Sequence, residues 1–312
     1  MVGKLSDDSR MSASRIPVLY CWKYGEGHAY STPNDELRRS IAAASGDYDR
    51  GDIGEPGIVG NLLEPALVSS VSDALGIPEP SMSPGVRTSE DGTFQASLDG
   101  LSVCDTPVTV GASELVEIDG GEESITLSGP IPIECKVTSD FRRDEIPLAR
   151  GPIQLQAQMM SVGADFGVIV TLYRGIERQI KIYRADPEVQ RRISELCADF
   201  QQRVESENYY PPVSVDDAAK THESAQGEID LPAAEGKVER LDSLRQQQKD
   251  LETEINDLQT EIMTEMQEAE TARCGGYLVK WPVRHYKAQP EKVTPAKDAR
   301  DVRLKSLQIK RV

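Results

Sequence analysis

The chain has 312 residues, 38% of them hydrophobic and only 5% aromatic, with a formal net charge of −17. That length allows one large domain with appendages or two domains, and the thin apolar content predicts that part of the chain is extended or helical with little core. No apolar run approaches the roughly 18 residues of a membrane span, residues 1–15 lack the apolar centre of a signal peptide, and five cysteines without a CxxC pair exclude a disulfide framework or zinc ribbon, so a soluble, cytoplasmic protein without membrane contact is expected.

In chain order, residues 35–44 read as a short helix with Asn34 as N-cap, and residues 46–57 as a Gly- and Asp-rich loop. From Gly60, Leu63, Leu67, Val71 and Leu75 recur at helical spacing. Pro65 inside that run implies a kink or a helix start. Residues 93–98, 109–118, 124–127 and 131–137 form short strands, read as a β-meander, with the tightest turn at Asp119-Gly-Gly121. An amphipathic helix over 153–162 follows. Residues 166–173 are a continuous apolar run, consistent with a buried strand, joined to 179–183 by a hairpin through Arg174-Gly175. Val189, Ile193, Leu196, Phe200 and Val204 put one apolar face on a helix over 186–204.

Residues 209–235 read as a Pro/Ala/Asp/Glu-rich linker. Over 238–266, Leu241, Leu244, Gln248, Leu251, Ile255, Leu258 and Ile262 alternate spacings of three and four, nearly four heptads with one polar interruption. This suits a coiled-coil arm or an ordinary helix packed on the body. Residues 275–287 read as a strand or two. Residues 275–312 carry ten basic against three acidic side chains, a segregation that suits phosphates or an acidic partner. His28, His222 and His285 are isolated and carry no ligand spacing. The boundaries implied are an N-terminal arm and helix (1–58), a core (59–212), a linker (213–236), a coiled-coil-like helix (237–273) and a basic β/tail segment (274–312).

The chemistry concentrates in Ile131-Pro-Ile-Glu-Cys-Lys136. Residues i and i+2 of a strand share a face, so Glu134 and Lys136 would sit side by side. Asp99, in Ser97-Leu-Asp-Gly100, can add a second carboxylate. Two acidic side chains and a lysine suit a Mg²⁺ site that cuts phosphodiesters, since that ion is held by one or two carboxylates plus phosphate oxygens. The plainer alternatives are a solvated Glu/Lys pair and an Asp in a turn beside Gly.

The ordered set Gly60-Asn-Leu-Leu-Glu-Pro65, Leu98-Asp-Gly100, Glu134-Cys-Lys136, Gln154-Leu-Gln156 and Gly163-Ala-Asp-Phe-Gly167 resembles the phage-type exonucleases of the YqaJ viral recombinase family, relatives of lambda exonuclease in the PD-(D/E)XK nuclease superfamily. The likeness runs from about residue 60 to 212. It implies an α/β restriction-endonuclease-like core, a central mixed β-sheet flanked by helices, with a long helical C-terminal appendage. By the same resemblance Asp99 and Glu134 bind Mg²⁺, with Mn²⁺ as a substitute, and Glu64 and the carbonyl of Cys135 lie beside the metal. Lys136 steadies the attacking water or the transition-state charge, and Gln154 orients water or phosphate. The scattered cysteines argue against the iron–sulfur branch of the superfamily.

Gln156 and Gln158 are expected to face solvent. Arg174, Lys181 and Arg303 are candidate DNA contacts. The family's DNA-end-gripping arginine and serine have no clear counterpart beyond Ser40, with Arg38 and Arg39 beside it. The implied activity is Mg²⁺-dependent exonucleolytic resection of duplex DNA ends for phage recombination. A single-strand annealing protein as partner, a trimeric homo-oligomer and the host cytoplasm go with it. The net charge of −17 opposes tight non-specific DNA binding. The rivals are a catalytically idle nuclease-like interaction protein and a phage assembly protein acting through its coiled coil and basic tail.

Overall fold

The structure, a computed structural model, describes residues 7–25, 31–48, 51, 54–222 and 228–283. Two units divide the chain, Met1–Thr221 and His222–Val312, and the division falls inside the stretch read from sequence as a linker.

The first unit runs β1 (Met11–Ser12), α1 (Ile16–Tyr24), α2 (Pro33–Ser45), α3 (Gly54–Leu75), β2 (Ser81–Met82), β3 (Val86–Thr88), β4 (Phe94–Ser97), β5 (Gly100–Gly111), β6 (Val116–Ile118), β7 (Ser124–Thr138), α4 (Pro152–Val162), β8 (Phe166–Tyr173), β9 (Glu177–Arg184), α5 (Pro187–Ser206) and α6 (Val215–Thr221). Six strands form a mixed sheet in the order β2-β5-β7-β8-β9-β6, and β1, β4 and β3 form a small second sheet. β7 and β8 are parallel, as a crossover through α4 requires. β5 pairs antiparallel with β7, and β8 with β9.

Burial explains this arrangement. Along β8, Val168 and Val170 pack with α3 residues Val68 and Val71, while Ile169 packs with Leu155 and Met159 of α4. The alternation puts a helix on each face of the strand, so its sequence reads as an unbroken apolar run. A further cluster joins α1, β4, α4 and α5 through Leu19, Phe94, Ile153 and Phe200.

Several sequence expectations change in detail. The cap of α2 is Thr32, whose side chain accepts from the Asp35 N–H at 3.0 Å. Asn34 is instead buried and donates to the Tyr210 carbonyl and Asp217, each at 3.0 Å. α3 begins at Gly54, inside the expected loop, and continues through Pro65, whose ring leaves the Asn61 carbonyl without its intrahelical donor. The two expected strands at 124–127 and 131–137 are one, continuous through Gly129 and Pro130. No meander forms, because β6 pairs in parallel with β9.

The second unit contains α7 (Glu235–Met266), a helix of 32 residues, and an antiparallel hairpin of β10 (Thr271–Cys274) and β11 (Tyr277–Lys280). Among the described residues no helix is long and apolar enough to cross a membrane. The basic segment beyond 283, with Arg303 and His285, lies outside the described residues, as does His28.

Candidate active site

The register pairing Gly100 with Ile133 sets Asp99 opposite Glu134. Asp99 occupies the bend between β4 and β5, and its Oδ2 accepts the Cys135 N–H at 2.8 Å. Glu134 and Lys136 share a face of β7, with Lys136 Nζ donating to Glu134 Oε1 at 2.5 Å. The same ammonium donates to Gln154 Oε1 at 3.0 Å. Asp99, Glu134, Lys136 and Gln154, singled out from sequence, therefore stand in one hydrogen-bonded and electrostatic cluster.

Glycine sets how closely two helices approach it. A Cβ on Gly100 would run into Val68 Cγ1 of α3. Val68 follows Glu64 by four residues and so shares its helix face. The bare backbone at Gly100 thus lets α3 bring Glu64 to the carboxylates. A Cβ on Gly167 would lie 2.9 Å from Leu155 Cδ1 of α4, so Gly167 seats the helix that carries Gln154.

Sequence reasoning missed Gln158. It is fully buried, and its Nε2 donates to Glu134 Oε2 at 2.5 Å and to the Ser97 carbonyl at 3.2 Å. The signal was present: Gln154 and Gln158 are four apart, on one helix face. Gln156 is also buried rather than solvated. It donates to the Arg184 carbonyl at 2.8 Å and accepts the Asp186 N–H at 3.0 Å, locking the start of α5.

The site is rich in negative charge. Burial, and then the charges of Glu134 and Glu64, push the Asp99 carboxyl well above its ordinary pKa, against the Cys135 hydrogen bond and Lys136. Glu64 is raised by burial and by Glu134, against Lys136. The Cys135 thiol is pushed up by burial and by the surrounding carboxylates, so it stays protonated and offers no soft ligand. Among the described residues no three His, Cys, Asp or Glu groups hold a metal by themselves. Mg²⁺ does not need such a cage: one or two carboxylates suffice when water and phosphate oxygens complete the shell. Hard oxygen donors, the repulsion that Glu134 and Glu64 exert on Asp99, and the unpartnered buried Oε1 of Gln158 fit that ion.

Beside the cluster lies a groove of about 1010 Å³, lined by Asn61 and Glu64 of α3, Cys135 and Thr138 of β7, and Arg174 at the β8–β9 turn. Arg174 has a left-handed backbone (φ 53°) and donates its N–H to the Thr138 carbonyl at 2.7 Å. Its guanidinium stands 4.4 Å from the centre of the Phe141 ring, which is 71% exposed. Lys181 is placed elsewhere, buried, with Nζ 3.3 Å from Asp119. Ser40, Arg38 and Arg39 are engaged within the fold. Ser40 accepts from the buried Arg15 at 2.9 Å, Arg38 pairs with Asp35 and Asp217, and Arg39 pairs with Asp8.

No protein family description and no curated protein matches the sequence. Among solved structures, the chain is similar to an alkaline exonuclease, LHK-Exo, from Laribacter hongkongensis, with a TM-score of 0.44 and 16% identity over 64% of this chain and 90% of that one. It is also similar to a phage-related exonuclease from Haemophilus somnus 129PT, with a TM-score of 0.42 and 12% identity over 64% and 94%. Identity this low assigns no residue a role.

Proposed function

We propose that this chain is a Mg²⁺-dependent deoxyribonuclease with a PD-(D/E)XK core, acting as a phage-type exonuclease that resects duplex DNA ends for recombination. One observation carries the reading: Asp99, Glu134, Lys136 and Gln154, drawn from a bend, a strand and a helix, meet in one cluster beside an open groove. Asp99 and Glu134 would hold the metal, with Glu64 and the Cys135 carbonyl at its margin. A bound Mg²⁺ or Mn²⁺ supplies charge neutralisation at a phosphate and a water of lowered pKa.

The chain's own residues do the rest. The Cys135 N–H fixes Asp99, and Gln158 fixes Glu134 from behind. Lys136 is held between Glu134 and Gln154 with its side chain one-third exposed, where a preoriented ammonium stabilises the charge that builds on phosphate oxygens. Arg174 and Phe141 offer a cation and an aromatic face at the groove's rim, the two features that bind a nucleic-acid strand without reading its sequence. A single-strand annealing protein as partner and a ring-shaped trimer belong to the same reading through the resemblance alone.

The net charge of −17 favours a second reading, an idle nuclease-like protein that acts through its helix and tail. Incubation with end-labelled linear duplex, circular duplex and single strands, with Mg²⁺ or EDTA, separates them. Mg²⁺-dependent loss of linear duplex alone supports the exonuclease. Equal cutting of circles makes it an endonuclease, and no cleavage in Mg²⁺ leaves the second reading.

A further inference from the structure

The long helix of the second unit carries an apolar stripe that nothing in the nuclease reading uses. Leu244, Leu251, Ile255, Leu258 and Ile262 are each between 43% and 58% exposed. With Leu241 and Gln248 they occupy the a and d positions of a heptad, Leu241, Gln248, Ile255 and Ile262 at a, and Leu244, Leu251 and Leu258 at d. Three consecutive heptads of this kind are the length at which such a seam becomes a coiled-coil signal.

Charge along the helix is segregated. Residues 235–249 hold four basic and three acidic side chains, whereas residues 250–266 hold six acidic and no basic ones. A parallel pair would lay two strongly acidic halves side by side and set Arg240 against Arg245 of the second copy. An antiparallel pair brings each acidic half against the half that holds all the basic residues. In the register that faces Leu241 with Leu258, Gln248 with Leu251 and Ile255 with Leu244, the flanking positions become Arg240 with Glu261, Arg245 with Glu252 and Gln247 with Glu254. Gln248, the polar interruption, already donates to Glu252 of its own helix at 2.9 Å. Its amide therefore does not need a second glutamine across the seam, the pairing that would reward a parallel register.

From this we propose that α7 joins two copies of the chain as an antiparallel coiled coil, with that register. Sedimentation equilibrium on the full-length protein and its variants tests it, with circular dichroism confirming that each variant stays folded. The wild-type mass is expected to halve with Leu251→Asp. Arg240→Glu should raise the dissociation constant of that step about threefold or more, by setting Glu against Glu261, and Glu261→Arg in the same chain should restore it. In a parallel pair Arg240→Glu would instead tighten association by facing Arg245. Tighter association of Arg240→Glu overturns the orientation. A mass unchanged by Leu251→Asp overturns the interface.

Discussion

The backbone N–H of Cys135 donates to the side chain of Asp99 across 2.8 Å. This bond continues the β5–β7 pairing one step past its last strand residue, using a carboxylate where a carbonyl would ordinarily accept. The residue between Glu134 and Lys136 thus orients Asp99 through its main chain. The side chain at 135 has no part in that bond. Cys135→Ala is accordingly expected to keep full cleavage activity, measured on linear duplex with Mg²⁺.

Glu134 is 2% exposed and bonded to both Lys136 and Gln158. Such a carboxylate is not half of a solvated Glu/Lys pair, and truncation to alanine should weaken the fold as well as the site, by about 1–3 kcal/mol for buried donors left unpaired. Glu134→Gln keeps the shape. It should abolish turnover while shifting the melting temperature less than Glu134→Ala does.

Gln158→Leu tests the missed residue. Without its amide Glu134 loses one of its two positioning bonds, and a displacement of about 1 Å at a reacting centre costs on the order of 100-fold. Single-turnover cleavage should fall by about that factor. An unchanged rate would make Gln158 a packing residue only.

Asp99 and Glu64 are held close to other negative charge within a partly dry cluster, so the metal-free protein bears their repulsion. Asp99→Asn should raise the melting temperature in EDTA, by about 2–4 °C for each kcal/mol relieved in a unit of this size, and should eliminate cleavage. A lower melting temperature would contradict the electrostatic account of the site.

Glu117 gives a pH prediction away from the site. Burial raises its pKa, but hydrogen bonds from Gln179 and Arg142 outweigh it, and the folded value lies below the ordinary 4.5. A carboxyl depressed on folding stabilises above its unfolded pKa, and that contribution is lost as pH falls through the folded value. Glu117→Gln should therefore be less stable than wild type near neutrality and should converge with it in acid, as read by urea melts from pH 7 downward.

At the groove's rim, Phe141→Ala should weaken binding of single-stranded DNA about fivefold or more, the usual size of one lost base–aromatic stack. Arg174→Ala should in addition flatten the dependence of log affinity on log salt by about 0.7 on single strands. Fluorescence anisotropy in EDTA measures both without cleavage.

Much of the site was legible because strands encode it simply. A two-residue spacing puts Glu134 and Lys136 on one face whatever surrounds them. The helices were harder. Treating Gln154, Gln156 and Gln158 as unrelated ignored that the first and third share a face. The start of α3 was hidden by Gly54 and Gly57, whose composition reads as loop, and tertiary packing overrode it. Asn34 looks like a cap by residue type, yet Thr32 has the extended backbone a cap needs, and Asn34 is taken up by Tyr210 and Asp217, far away in sequence.

The hydrogen atom that stands for a side chain at Gly100 acts as a gauge block between α3 and the sheet. A library randomised at this codon should return glycine almost alone, even under selection for folding without activity, because any larger group drives Val68 outward. Variants that tolerate alanine there should carry a smaller residue at 68, so the two codons would drift together. Tuning the reach of Glu64 would thus begin with an edit to the scaffold beneath it.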